Sequence, residues 1–93
     1  MNTDKIELKL YIIEKSPTYF ETVSKLYGLL DSKFNHCFTL DVIDILKNPE
    51  MTVQDEIMAS PTLIRLKPLP VKRIVGSLFA RNLVEELELI NCD

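Results

Sequence analysis

"IMASPTLIRLKPLPVKRIVG", residues 57–76, is the stretch whose reading decides the fold. Pro61 breaks whatever helix precedes it, because proline lacks a backbone donor and pushes the residue before it out of the helical region. Thr62, Ile64 and Leu66 then alternate with Leu63, Arg65 and Lys67, the period of a strand. Pro68-Leu69-Pro70 turns the chain, and Val71–Val75 supplies a second β-branched run that Gly76-Ser77 ends. The stretch reads as a hairpin, and its meaning depends on what flanks it.

Upstream, Ile6, Leu8, Leu10 and Ile12 alternate with Glu7, Lys9 and Tyr11, which predicts a half-buried strand. Glu14-Lys15-Ser16-Pro17 is a polar turn carrying a helix start, with Ser16 as the cap and Pro17 in the first helical position. Thr18 with Glu21 forms a competing start of the capping-box type. Phe20, Val23, Leu26, Tyr27, Leu30 and Phe34 recur every three or four residues, one apolar helix face over about 17–33. Phe38–Ile45 is nearly continuous in apolar character and reads as an inner strand covered on both faces. The two strands and their helix form a βαβ unit, right-handed by rule. Asn48-Pro49-Glu50 opens a short helix reaching about Met58, weakened by Thr52 and Val53.

Downstream of the hairpin, Ala80, Leu83, Val84, Leu87 and Ile90 fit a helical stripe, with Glu85, Glu86 and Glu88 on the wet side. The predicted order is βαβαββα in a single α/β domain spanning 1–93, with 1–5 and 91–93 frayed. There is no internal repeat, linker or low-complexity tract.

Composition narrows the function classes. A chain of 93 residues makes one domain and buries only about 60–65% of its unfolded surface. Its formal charge of −3 argues against a grip on nucleic acid, which needs a basic footprint. No basic head precedes an apolar stretch at the start, so no signal peptide is expected, and no apolar run approaches the ~18 residues of a membrane span. Cys37 and Cys92 are read as neither a disulfide scaffold nor a metal knuckle, in keeping with a reducing cytoplasm.

The chemistry-bearing residues point away from catalysis. A thiol oxidoreductase needs a low-pKa thiolate at a helix N-terminus, where this chain has Ser16-Pro17. Cys37 beside His36 invites a Cys-His reading, but sequence neighbours in an extended segment point apart and no orienting group follows. His36 is the one histidine, so a histidine-based metal site lacks a second ligand. Asp41 and Asp44 fall on different faces of their strand and read as an edge charge and a strand-end cap. Arg65, Lys67, Lys72 and Arg73 form one basic cluster on the hairpin. That cluster is either a solvated surface blunting an edge strand or an electrostatic patch for an acidic protein partner.

The order βαβαββα is that of a minimal thioredoxin-like core. Within it, "LKLYIIEKSPTY" (8–19), "LDVIDILKNPEM" (40–51), "DEIMASPTLIRL" (55–66) and "LPVKRIVGSL" (69–78) closely resemble the KaiB family of bacterial clock proteins. The sensor domain of the clock kinase SasA is a looser relative. The resemblance implies a non-catalytic, cofactor-free regulator with two arrangements of its second half. One is a resting, tetrameric form ordered βαββααβ; the other is a thioredoxin-like monomer that docks on the KaiC ATPase ring, competes with SasA and helps sequester KaiA. It further implies a partner interface including Asn48, Arg65, Lys67, Lys72 and Arg73, no nucleic-acid or membrane partner, and a dimer or tetramer at rest. The switching segment would include Pro61, Pro68, Pro70, Gly76 and Ser77. X-Pro isomerisation takes tens of seconds or longer and would slow an interconversion there, although these prolines also simply mark strand edges and turns. The chain departs from the family pattern at Glu21, where clock members often carry arginine, and at Glu56, where they often carry lysine. It also has Ser77 where an acid is usual, and it lacks the acidic C-terminal tail of many members.

Overall fold

The computed structural model describes residues 5–90, and the elements run β1 (Ile6–Ile12), α1 (Tyr19–Phe34), β2 (Phe38–Asp44), α2 (Pro49–Gln54), β3 (Thr62–Lys67), β4 (Lys72–Val75), a 3-10 turn (Leu78–Ala80) and α3 (Leu83–Glu86). The predicted order βαβαββα is the observed one. Apart from Lys5, the ends expected to fray lie outside the described residues.

The four strands lie in the order β2-β1-β3-β4. β1 pairs in parallel with β2 over its full length, Ile6 opposite Phe38 through Ile12 opposite Asp44. On its other side β1 runs antiparallel to β3, with a register shift between Glu7 and Leu8, and β4 pairs antiparallel with β3, Thr62 opposite Val75 through Arg65 opposite Lys72. The strand in the middle is therefore β1, and β2 is an edge. This corrects the expectation of an inner β2. Its apolar run is not evenly used: Leu40 and Ile43 are buried while Thr39 and Asp41 are exposed. Conversely β1, read as half-buried, also buries Tyr11 completely.

Period-two alternation divides the sheet into two faces. On one, Ile6, Leu8, Leu10, Leu63 and Ile74 meet Leu26, Leu30 and Phe34 of α1 and the leucines of the C-terminal segment. On the other, Tyr11, Ile43 and Ile64 form a smaller core roofed by Met51 and Ile57 around α2. α2 itself buries no residue fully, so its hold on the sheet is light.

The helix boundaries follow local chemistry more closely than periodicity. α1 begins after Thr18, the competing start, yet no side-chain cap bonds its first turn; the Ser16 hydroxyl instead accepts from the Thr18 amide at 3.3 Å. Phe20, assigned to the apolar face, is 81% exposed; its neighbour Tyr19 makes the core contact of that turn, and Val23 follows. α2 ends at Gln54, not near Met58, because Glu56 takes a positive φ of 54° that closes the last turn. The largest correction is at the C-terminus. The continuous helix expected over the last stripe is a 3-10 turn followed by a four-residue α3. Leu78, Leu83, Leu87 and Leu89 are buried, while Ala80 and Ile90 of the predicted stripe are exposed. Asn82 caps α3 by accepting from the Glu85 amide at 3.2 Å, and the three glutamates face solvent as expected.

Candidate functional site

The predicted site residues do not converge on one surface. Pro61, Gly76 and Ser77 lie together where β3 begins and β4 ends; Pro68 and Pro70 lie at the opposite tip of the hairpin. The peptide bonds before Pro61, Pro68 and Pro70 are all cis. The Gly76 amide donates to the Pro61 carbonyl at 2.9 Å. Gly76 has φ +93° with nothing within 4 Å of a would-be Cβ, so handedness of the backbone, not crowding, demands glycine there.

These residues face the first turns of α1 across a groove of about 400 Å³ lined by Thr18, Glu21, Lys25, Pro61, Gly76 and Phe79 among others. Glu21, the first departure from the family pattern, thus shares a groove with three of the five residues expected to switch, Pro61, Gly76 and Ser77. It pairs with Lys25 at 3.5 Å, and the Lys25 ammonium sits 5.6 Å from the centre of the Phe79 ring. The groove mixes polar and apolar walls, and no cysteine lines it.

The basic cluster is split by the pleat. Arg65 is buried, 2% exposed, which removes it from any surface patch. Its Nη1 donates to the Leu87 carbonyl and its Nη2 to the Pro70 carbonyl, each at 2.6 Å, while its buried Nε has no hydrogen-bond partner among the described residues. Lys72, its cross-strand neighbour, pairs with Glu88 at 3.7 Å, and Lys67 pairs with Glu7 at 3.7 Å. Arg73 leaves the opposite face of β4 and donates to the Asp55 and Glu56 carbonyls at 2.8 and 3.2 Å. Asn48 is half-buried at the entrance of α2 and donates to the Asp44 carbonyl at 3.0 Å. Glu56, the second departure, has an exposed side chain on the positive-φ residue that ends α2. Lys67, Lys72 and Arg73 remain reachable from solvent, but on different faces.

Sequence reasoning missed one polar constellation altogether. The Tyr11 hydroxyl donates to the Asp55 carboxylate, which also receives Lys9 Nζ at 3.1 Å. Burial first, then the bond to Asp55 and its charge, push the Tyr11 phenol up to about 12, with Arg73 opposing slightly. The same hydrogen bond holds the Asp55 carboxyl below its ordinary value; burial works against it and Lys9 reinforces it. The only available signal was an aromatic residue at an odd position of an alternating strand, with an acid far away in sequence.

Among the described residues no group of three His, Cys, Asp or Glu could hold a metal ion. Cys37 is disulfide-bonded, not a free thiol, which corrects the expectation of unpaired cysteines; Cys92 lies outside the described residues. His36 is exposed. Asp44 is the strand-end cap expected of it, its carboxylate accepting from the Leu46 and Glu14 amides. No helix of the described residues is long and apolar enough to cross a membrane.

Residues 9–89 match the family described as the KaiB domain. The circadian clock oscillator protein KaiB of Synechococcus elongatus is 42% identical over 77 residues, covering 83% of this chain and 76% of that protein. Its counterpart in Parasynechococcus marenigrum is 40% identical, covering 83% and 74%. Among solved structures, the N-terminal domain of Synechococcus elongatus SasA superposes with a TM-score of 0.68 at 17% identity, covering 80% of this chain and 70% of that one. Mitochondrial thioredoxin 3 of Saccharomyces cerevisiae gives 0.71 at 15% identity, covering 92% and 79%. At such identities these two likenesses speak for the thioredoxin-like fold alone.

Proposed function

This chain belongs to the KaiB family, and on that premise we propose that it is a non-catalytic clock-regulatory module that docks on a KaiC-like ATPase ring. The observation that carries the reading is the pairing of a KaiB-family sequence with a βαβαββα fold whose α1 entrance holds Ser16-Pro17 in place of reactive thiols. A thioredoxin-like frame without that chemistry supports work by shape and charge. Lys67, Lys72, Arg73 and Asn48 are the proposed contacts; Arg65 contributes from within, by fixing the segment that presents them. KaiA- or SasA-like proteins are proposed as further partners, with a dimer or tetramer at rest and a cytoplasmic setting. Native mass spectrometry with the KaiC of the same organism tests the reading. A complex at micromolar concentration supports it, and no complex in either nucleotide state of the ring overturns it.

A second reading, a KaiB-family adaptor with a changed partner, is favoured by Glu21 and Glu56. Both acids are exposed, and a reversed charge opposite an unchanged partner costs several kcal/mol at an interface. Restoring Arg at 21 and Lys at 56 separates the two: tightened binding to the ring favours the first reading, and unchanged silence the second. Insulin reduction that is lost on Cys37→Ser substitution would overturn both in favour of a redox protein.

A further inference from the structure

The two short helices end in the same way. At α2, the Ile57 amide bonds the Thr52 carbonyl at 2.9 Å and the Glu56 amide bonds the Val53 carbonyl at 3.0 Å, with Glu56 at φ 54°. At α3, the Leu89 amide bonds the Val84 carbonyl at 2.9 Å and the Glu88 amide bonds the Glu85 carbonyl at 3.1 Å, with Glu88 at φ 51°. Both are Schellman endings, which satisfy the carbonyls of the last turn but leave those of the final capping residue and its successor without a helical donor. Both place glutamate where the positive φ favours glycine.

In both cases an arginine of the hairpin takes the remaining carbonyls. Arg73 donates to Asp55 and Glu56 at 2.8 and 3.2 Å; Arg65 donates to Leu87 at 2.6 Å and reaches Glu88 at 3.5 Å. Arg73 sits opposite Ile64 and Arg65 opposite Lys72 in the β3–β4 register, so the two guanidinium groups leave the hairpin on opposite faces. Each guanidinium is a planar fork suited to two acceptors, and a cation at a helix C-terminus is favourable in charge as well as geometry. Arg65 is further tied to the hairpin tip through the Pro70 carbonyl.

We propose that the β3–β4 hairpin is a two-sided latch: through Arg65 and Arg73 it fastens the ends of α3 and α2 at once, so that these ends open as one cooperative unit. A macromolecule that displaces either helix end then loosens the other across the sheet. The two helices touch opposite faces, so the coupling passes through the hairpin and its two side chains. This inference does not depend on which partner the chain binds.

Amide hydrogen exchange by NMR on the full chain tests it, comparing the parent with Arg73→Met and Arg65→Lys. Arg73 is exposed, so its replacement leaves the core intact. In Arg73→Met, exchange at Glu56 and Ile57 is expected to rise about tenfold, and at Glu88 and Leu89 at least about threefold, while Leu8 and Leu10 of β1 change less than about twofold. Arg65→Lys keeps the charge and loses the fork, and should give the mirror pattern. Acceleration confined to the helix that each arginine holds would show two independent caps and overturn the latch. So would no acceleration at either end, or equal acceleration throughout β1. If Arg65→Lys does not fold, Arg73→Met decides alone.

Discussion

The N-terminal and C-terminal parts of this chain are built on different principles. In residues 6–44, two seven-residue strands pair along their whole length and a sixteen-residue helix lays Leu26, Leu30 and Phe34 onto them. In residues 62–90, a strand of six residues and one of four carry a hairpin, and the two helical pieces have three and four residues. Helices that short do not hold themselves, since nucleation alone outweighs the few bonds they make. The first region is fastened by continuous apolar periodicity. The second is fastened by five buried leucines and by arginines that grip backbone carbonyls. Two regions of one small sheet thus differ in what must break for them to come apart.

The largest expected effect separates the regions directly. Leu26→Ala, at a fully buried position of α1, should lower stability by about 3–5 kcal/mol, with every probe unfolding together in denaturant. Leu87→Ala, nearly as buried, should cost less, about 2–3 kcal/mol, because the short C-terminal segment can collapse over the space. Equal losses would break the contrast.

The next effect is a pH limb. Because the Tyr11 phenol is pushed up to about 12, above an ordinary value of about 10, its neutral form stabilises the fold fully below about pH 10. That contribution, about 2–3 kcal/mol, is lost as pH rises to about 12, and Tyr11→Phe should flatten the limb. Asp55 works with the opposite sign. Its lowered value stabilises the fold above the ordinary carboxylate range, and the gain is lost as pH falls through the folded value, so Asp55→Asn should soften acid unfolding. Denaturant titrations across pH check both.

A smaller effect should stabilise. Glu88→Gly, inside the second region, and Glu56→Gly, just before it, each relieve a positive φ and should add about 0.5–1 kcal/mol. The smallest is Lys25→Ala on the surface of α1, about 0.3–0.5 kcal/mol or less from the exposed pair with Glu21, and reduced further by salt.

What was legible in the sequence follows the same divide. The alternation of Ile6 to Ile12, the stripe from Val23 to Phe34 and the prolines around Thr62 to Val75 declare their elements because one face of each is apolar over several periods. The family was legible too, from motifs spanning nearly the whole chain. The edge position of β2 was not, because strand order depends on where β3 inserts, and that is a non-local pairing. The C-terminal helix was overread because Leu83, Val84 and Leu87 fit its period, while the positive φ of Glu88 breaks it just beyond. Arg65 was read as surface because an arginine in a strand usually is; nothing local announces that three carbonyl oxygens wait for it. How the named residues are arranged was not legible either, since the pleat sends Arg65 and Arg73 to opposite sides.

The buried Nε of Arg65 turns the molecule into its own gauge. An arginine proton shut away from water should exchange slowly and give a distinct nitrogen resonance at neutral pH, where exposed arginine side chains exchange faster with solvent. Its intensity would report, without any label attached to the surface, the fraction of chains whose C-terminal segment is closed at a given moment.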